Sequence, residues 1–203
     1  MKLYGYRNGR TLRALWALEE IEVDYEYTEV DIMQGEGQAP WYLQLNPTGK
    51  VPVLIDGELI IPESAAICMY LAEKYPHASL MPEAGTAARA KFYSFISFIL
   101  TEMDAPLWTI AKHRFALPKE KRVSPVIDTA IWEFQRAAAI FSEKLGENRF
   151  LLGSLFTVVD ILAGHTLLWA KSVRIEFASP QLESYLEILL SRDAAIRARA
   201  KTP

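Results

Sequence analysis

Cysteine is nearly absent from this chain: Cys68 is the only one, beside three histidines. A single thiol excludes an intrachain disulfide and a cysteine-rich metal centre, and it suits a reducing compartment. Without a Cys-x-x-Cys pair, dithiol exchange is excluded too. Cys68 falls mid-helix between Ile67 and Met69 and reads as a small buried hydrophobe. His113 and His165 lack metal-ligand spacing, so no metal is expected. A basic surplus is also missing: the net charge is −3, which gives no support for binding nucleic acid or an acidic membrane. No apolar run is long enough to span a membrane, and the first residues enter a strand without a signal-peptide apolar region. The cytoplasm is the expected location.

What is present is the make-up of an ordinary soluble globule, with 51% apolar and 23% charged residues in 203. That length suits one large or two small domains. Residues 3–6 read as a strand broken by Arg7-Asn8-Gly9. A helix then runs from Arg10 or Thr11 to Ile21, with Arg13, Glu19 and Glu20 outward. Residues 25–30 alternate as a half-buried strand. Residues 33–39 lack periodicity and read as a loop, and residues 41–45 as a turn or two of irregular helix. Asp56-Gly57 closes a hairpin between residues 53–55 and 59–61, and a helix covers residues 65–75. The order βαβαββα predicts an α+β N-terminal thioredoxin-like domain over residues 1–77.

A linker follows at 78–86, and an all-α helical bundle is expected over 87–203. Four apolar stripes support it. The first runs through Phe92, Phe95, Ile96, Ile99 and Met103, disturbed at Pro106. Ile127, Ile131, Phe134, Ala138, Phe141 and Leu145 form the second, and Val158, Ile161, Leu162, His165 and Leu168 the third. Leu182, Tyr185, Leu186 and Leu189 form the fourth. Each stripe must be buried against another. Thr157 and Asp160 make a capping box whose role is structural.

The chemistry gathers around residues 46–54 and 62–64. Pro47 and Gly49 mark a turn, and Val51-Pro52 is an X-Pro bond just ahead of a strand. A cis bond there leaves the backbone N–H and C=O of Val51 without ladder partners, open to an extended peptide added as a strand. Ser64 begins a helix whose N-terminal N–H groups attract a carboxylate, and Glu63 beside it suits an ammonium. Together they suit a short peptide with a free α-amino acid terminus.

The order strand, helix, strand, Asn-Pro-x-Gly-Lys-Val-Pro-x-Leu, hairpin, Glu-Ser-x-Ala-Ile, helix resembles the cytosolic glutathione transferase family, as a bacterial-type member. The stretch around Thr157 resembles the folding signature of that family's helical domain. The resemblance implies that Val51 and Pro52 pair with the cysteinyl part of glutathione and that Glu63 and Ser64 grip its γ-glutamyl end. Gln38 stands where relatives bind the glycyl carboxylate, and Lys50 either shares that role or simply solvates the turn. It also implies a thiol made to ionise near neutral pH. Lowering a thiol pKa of roughly 8.5 by two units takes about 2.7 kcal/mol of thiolate stabilisation.

The window for that donor, residues 6–11, departs from the common patterns, with neither serine nor cysteine. Asn8 stands near the usual Ser or Thr position. Arg10 brings a positive charge to the helix start, Tyr6 is a further candidate, and backbone N–H groups alone are the fourth option. Thr11 is a candidate helix cap. The electrophile is expected between the strand-end loop and the first helix of the second domain, where Met103, Leu107 and Trp108 are candidate wall residues. The resemblance thus implies conjugation of glutathione to a hydrophobic small molecule by a homodimer. A glutathione-dependent peroxide or disulfide reductase and a non-catalytic binding or assembly module are the alternatives.

Overall fold

The structure, a computed structural model, describes every residue except Asn8, Ala178, Thr202 and Pro203. The chain divides into two compact units, Met1–Met81 with the segment from Leu190 onward, and Pro82–Leu189. The last helix thus groups with the first unit, whereas the expected all-helical domain ran to residue 203.

The first unit is built on a four-stranded mixed sheet, in the thioredoxin-like βαβαββα order. β1 (Lys2–Gly5) lies parallel to β2 (Glu26–Glu29), and across α1 (Thr11–Ile21) the chain makes the crossover such a pair requires. Beyond β2, residues 33–39 are more ordered than expected. Two 3-10 turns occupy Ile32–Gln34 and Glu36–Gln38, and the Asp31 carboxylate accepts hydrogen bonds from the N–H groups of Met33 and Gln34. This side-chain cap replaces the apolar periodicity that the sequence lacks. α2 (Pro40–Leu45) opens on a proline, as a first helical turn favours. β3 (Val53–Asp56) and β4 (Leu59–Pro62) form the hairpin, and β3 pairs antiparallel with β1, giving the order β2-β1-β3-β4. α3 (Ser64–Lys74) completes the motif.

In the second unit α4 (Ala87–Phe98) passes into π-helical turns over Ile99–Asp104, then α5 (Ala105–Ala111). The π turns directly precede Pro106, whose missing N–H and bulky ring disturb the regular ladder. α6 (Val126–Leu145), α7 (Val158–Ser172) and α8 (Pro180–Leu190) follow. Most positions of the four stripes are buried, among them Phe92, Met103, Phe134, Phe141, Ile161 and Leu189 at 0% exposure. The capping box at Thr157 is present. Asp160 accepts from Thr157 N (2.8 Å), Leu151 N (3.0 Å) and Tyr185 OH (2.8 Å). Burial pushes its carboxyl up, opposed by these hydrogen bonds. No helix among the described residues is long and apolar enough to cross a membrane.

α9 (Asp193–Ala200) belongs to the first unit and packs on α1. This overturns the outward reading of Arg13, Glu19 and Glu20. Arg13 is 0% exposed and Glu19 9%. Glu19 accepts from Arg197 Nε at 2.8 Å and Tyr25 OH at 2.7 Å, and Glu20 takes a fork of two bonds from Arg192 at 2.6 and 2.7 Å. α1 is covered by α3 as well as α9, so the side that periodicity assigns to solvent meets a second helix.

Candidate functional site

Strand register collects the candidate residues at one end of the sheet. Tyr4 pairs with Val53 and Val53 with Pro62. Because these pairs are antiparallel, the segment leaving β1 (Tyr6 to Arg10), the segment entering β3 (Val51-Pro52) and the segment leaving β4 (Glu63-Ser64) emerge together. Both α1 and α3 begin there, with their positive dipole ends. Neither helix has an acidic residue in its first turn or a side-chain cap hydrogen bond.

The Val51–Pro52 bond is cis. Val51 lies outside the β3 ladder, and neither of its backbone polar groups takes a partner among the described residues. The preceding peptide is held firmly: the Lys50 carbonyl accepts from Tyr42 OH at 2.6 Å and Asn46 Nδ2 at 2.7 Å. Burial pushes the Tyr42 phenol up, so it stays a donor. The other end of the Asn46 amide accepts from the Thr48 N–H at 3.1 Å and the Thr48 hydroxyl at 2.9 Å, which closes the turn. Val51 itself packs on the cluster of Val30, Tyr42 and Val53.

Gln38 reaches the same turn from the second 3-10 segment. Gly49 has φ +65°, and a Cβ there would collide with the Gln38 amide and sit 2.8 Å from the Gly37 carbonyl. Glycine answers both the backbone and the crowding. Lys50 is exposed on the same turn.

Glu63 stands at φ 70°, ψ 114°, a conformation an L-residue seldom adopts. Such departures concentrate where a side chain must be aimed. Its carboxylate is exposed and takes no partner among the described residues. Ser64 is 4% exposed, and its Oγ accepts from Arg13 Nη1 at 3.4 Å. Arg13, Tyr42 and Asn46 were not singled out as site residues from the sequence. For Asn46 a signal existed in the side-chain turn that Asn favours two residues before Thr48; for the buried Arg13 there was none.

At the strand end, the Tyr6 N–H donates to Thr11 Oγ1 at 2.9 Å. The Thr11 hydroxyl therefore ties the loop down and does not cap α1. A Cβ on Gly5 would collide with this threonine. Tyr6 and Arg10 are half-buried. Asn8 lies outside the described residues. Met103 and Leu107 have 0% and 1% exposure, and of the three expected wall residues Trp108 alone keeps accessible surface.

Cys68 is fully buried and its thiol donates to the Arg13 carbonyl at 3.3 Å. Burial pushes it up to about 12, with Arg13 pulling the other way, so it is no nucleophile at neutral pH. Among the described residues no group of three or more His, Cys, Asp or Glu is placed to hold a metal.

Residues 1–73 match the family described as "Glutathione S-transferase, N-terminal domain", and residues 105–193 match "Glutathione S-transferase, C-terminal domain". The chain belongs to the glutathione S-transferase family. It is similar to a zeta-class glutathione S-transferase of Euphorbia esula, 46% identical over 126 residues, covering 62% of this chain and 54% of that one. The chain thus spans about half the length of the first curated relatives it matches. Similarity to the glutathione S-transferase hmp2 of Hypomyces subiculosus is 31% over 214 residues, covering 99% and 98%. A sphingomonad glutathione S-transferase, solved in complex with glutathione, superposes with TM-score 0.86 at 26% identity, covering 100% and 98%.

Proposed function

We propose that this chain binds glutathione at the end of the sheet described above and transfers its thiolate to a hydrophobic electrophile. The observation that supports this most is the convergence of two complementary half-sites. The unpartnered peptide groups of Val51 suit the extended cysteinyl portion, as in strand addition. The uncapped start of α3, with Glu63 and Ser64, suits an α-carboxylate and an α-ammonium. Gln38 and Lys50, on the neighbouring turn, suit the glycyl carboxylate. The sphingomonad neighbour, solved in complex with glutathione, supports the same ligand.

The thiol would lie near the start of α1, whose dipole favours a thiolate. Arg10, Tyr6 and Asn8 are the candidate side chains of that segment, Arg10 bringing a guanidinium to the helix start. Attack by the thiolate sulfur on an electrophilic carbon forms the C–S bond, while the leaving group departs with the bonding electron pair. Trp108 is the wall residue still presenting surface to an apolar partner. The protein would act as a cytoplasmic homodimer, with Met69, Tyr70, Tyr75 and Tyr93 as candidate contact residues; Phe92, at 0% exposure, belongs to the chain's own core.

Calorimetric titration with glutathione, followed by turnover of an aryl halide, tests this. Binding with turnover is expected, with thiolate absorbance of the bound peptide falling in one of Asn8→Ala, Arg10→Ala or Tyr6→Phe. Binding with reduction of a peroxide or mixed disulfide, but no conjugation, would establish a reductase. No binding at all would leave an assembly module.

A further inference from the structure

Charge is spread unevenly over the second unit. Residues 112–122 hold five lysines and arginines against a single acid, Glu120, in a chain whose net charge is −3. A net value averages over such a segment and does not describe what the segment itself attracts. The run joins α5 to α6 through a π-helical turn, Lys112–Ala116, and a 3-10 turn, Lys119–Lys121.

The segment is folded back on itself. Arg122 spans three carbonyls: its Nε donates to Leu117 O at 2.8 Å, its Nη1 to Arg114 O at 3.2 Å and its Nη2 to Phe115 O at 2.7 Å. The next N–H, that of Val123, donates to His113 Nδ1 at 3.0 Å. Arg122 is thus spent on closing the loop. Lys112, Arg114, Lys119 and Lys121 take no ion-pair partner among the described residues. Closure also returns Val123 to the turn that carries Phe115, and both side chains are exposed, at 55% and 57%. Apolar surface beside unneutralised cations is the composition of a face that meets the boundary between anionic headgroups and acyl chains.

We propose that this loop docks the protein on an anionic lipid surface, with its lysines and Arg114 at the level of the phosphates and Phe115 and Val123 at the acyl boundary. An acidic protein would answer the charges, but a stable protein interface takes about 20–30 residues a side, and the loop supplies roughly half of that. A lipid surface sets no such minimum. Each cation near an anionic leaflet is worth about fivefold in partition, and these factors multiply. The association is weak per contact, reversible and sensitive to salt.

Co-sedimentation of the full chain with vesicles tests this. At about 0.1 M salt, where charges further apart than roughly 10 Å are screened, the protein should sediment with vesicles of phosphatidylcholine and phosphatidylglycerol in equal parts. It should not sediment with phosphatidylcholine alone, and raising the salt should release it. Lys119→Gln with Lys121→Gln is expected to weaken partition about tenfold or more. Phe115→Ser should weaken it several-fold, with the salt dependence kept. Lys91→Gln with Lys144→Gln changes the net charge equally, but in α4 and in the last turn of α6, away from the loop; partition should hold within about twofold. All these positions are exposed, and circular dichroism checks that each variant is folded. No sedimentation with anionic vesicles, equal sedimentation with neutral ones, or equal losses in the two double variants would overturn the proposal. A protein that ignores vesicles but is retained by immobilised polyglutamate has an acidic protein segment as its partner, and the lipid proposal falls.

Discussion

Asn46 offers the sharpest test of whether the Val51 peptide is the ligand-facing edge. Its amide is 4% exposed and takes part in three hydrogen bonds, one to the Lys50 carbonyl and two from Thr48. Asn46→Ala removes all three. Thr48 is exposed, so water replaces its lost acceptor, and the Lys50 carbonyl keeps the Tyr42 phenol at 2.6 Å. The expected stability loss is therefore modest, about 1–2 kcal/mol. Tyr42→Phe removes the other donor and costs about 1 kcal/mol.

The double variant leaves the Lys50 carbonyl with neither donor. The two losses share one acceptor, so they should not add, and a coupling of about 0.5–3 kcal/mol is expected. The Lys50–Val51 peptide then has little to hold its plane. Two backbone hydrogen bonds to the ligand, each worth about 1 kcal/mol, lose their alignment, which amounts to tenfold or more in Kd. Urea unfolding reads the first quantity and glutathione calorimetry the second. If the double variant loses stability yet binds glutathione with unchanged affinity, Val51 is not a ligand group, and the strand-addition argument fails.

Other outcomes follow from the same geometry. Asp160→Ala strands the buried donors of Leu151, Thr157 and Tyr185; a loss of about 3 kcal/mol or more should lower Tm by roughly 10 °C in a thermal melt, with glutathione affinity of the folded fraction unchanged. Cys68, buried and pushed up to about 12, should resist iodoacetamide in the native protein at neutral pH and react once urea unfolds it. For Glu19, burial pushes the carboxyl up but hydrogen bonds from Tyr25, Arg197 and Lys201 outweigh it and leave it below its ordinary value. A lowered acid contributes stability above its unfolded value and loses it as pH falls through the folded one. Amide exchange in α9 should therefore accelerate on acidification below the ordinary carboxylate range, and less so in Arg197→Ala, which has already lost the α9 partner of Glu19.

How far the sequence could be read depended on the range of the forces involved. The capping box at Thr157, the Asp56-Gly57 hairpin and the turn at Gly49 are set by groups a few residues apart, and each was legible. Helix α1 was legible as a helix but not in its surroundings. Its apolar residues announce one buried side; that Arg13, Glu19 and Glu20 are also covered depends on Ser64, Arg192 and Arg197, up to 178 positions away. A periodic pattern counts apolar residues, so a helix side buried by ion pairs looks solvent-facing. The same limit hid the inner part of the candidate site. The residues proposed to meet the ligand, Val51, Glu63 and Ser64, lie in recognisable short motifs, whereas the groups packed and hydrogen-bonded behind them do not. Tyr42 reads as one more aromatic of a short helix, and Arg13 as one more surface cation. A residue that acts through another has no local pattern of its own, because its role is fixed only when two distant segments meet. Candidate residues in such a site are therefore found from motif, and their hydrogen-bond partners from coordinates, as with Arg13 at Ser64 and Tyr42 at the Lys50 carbonyl.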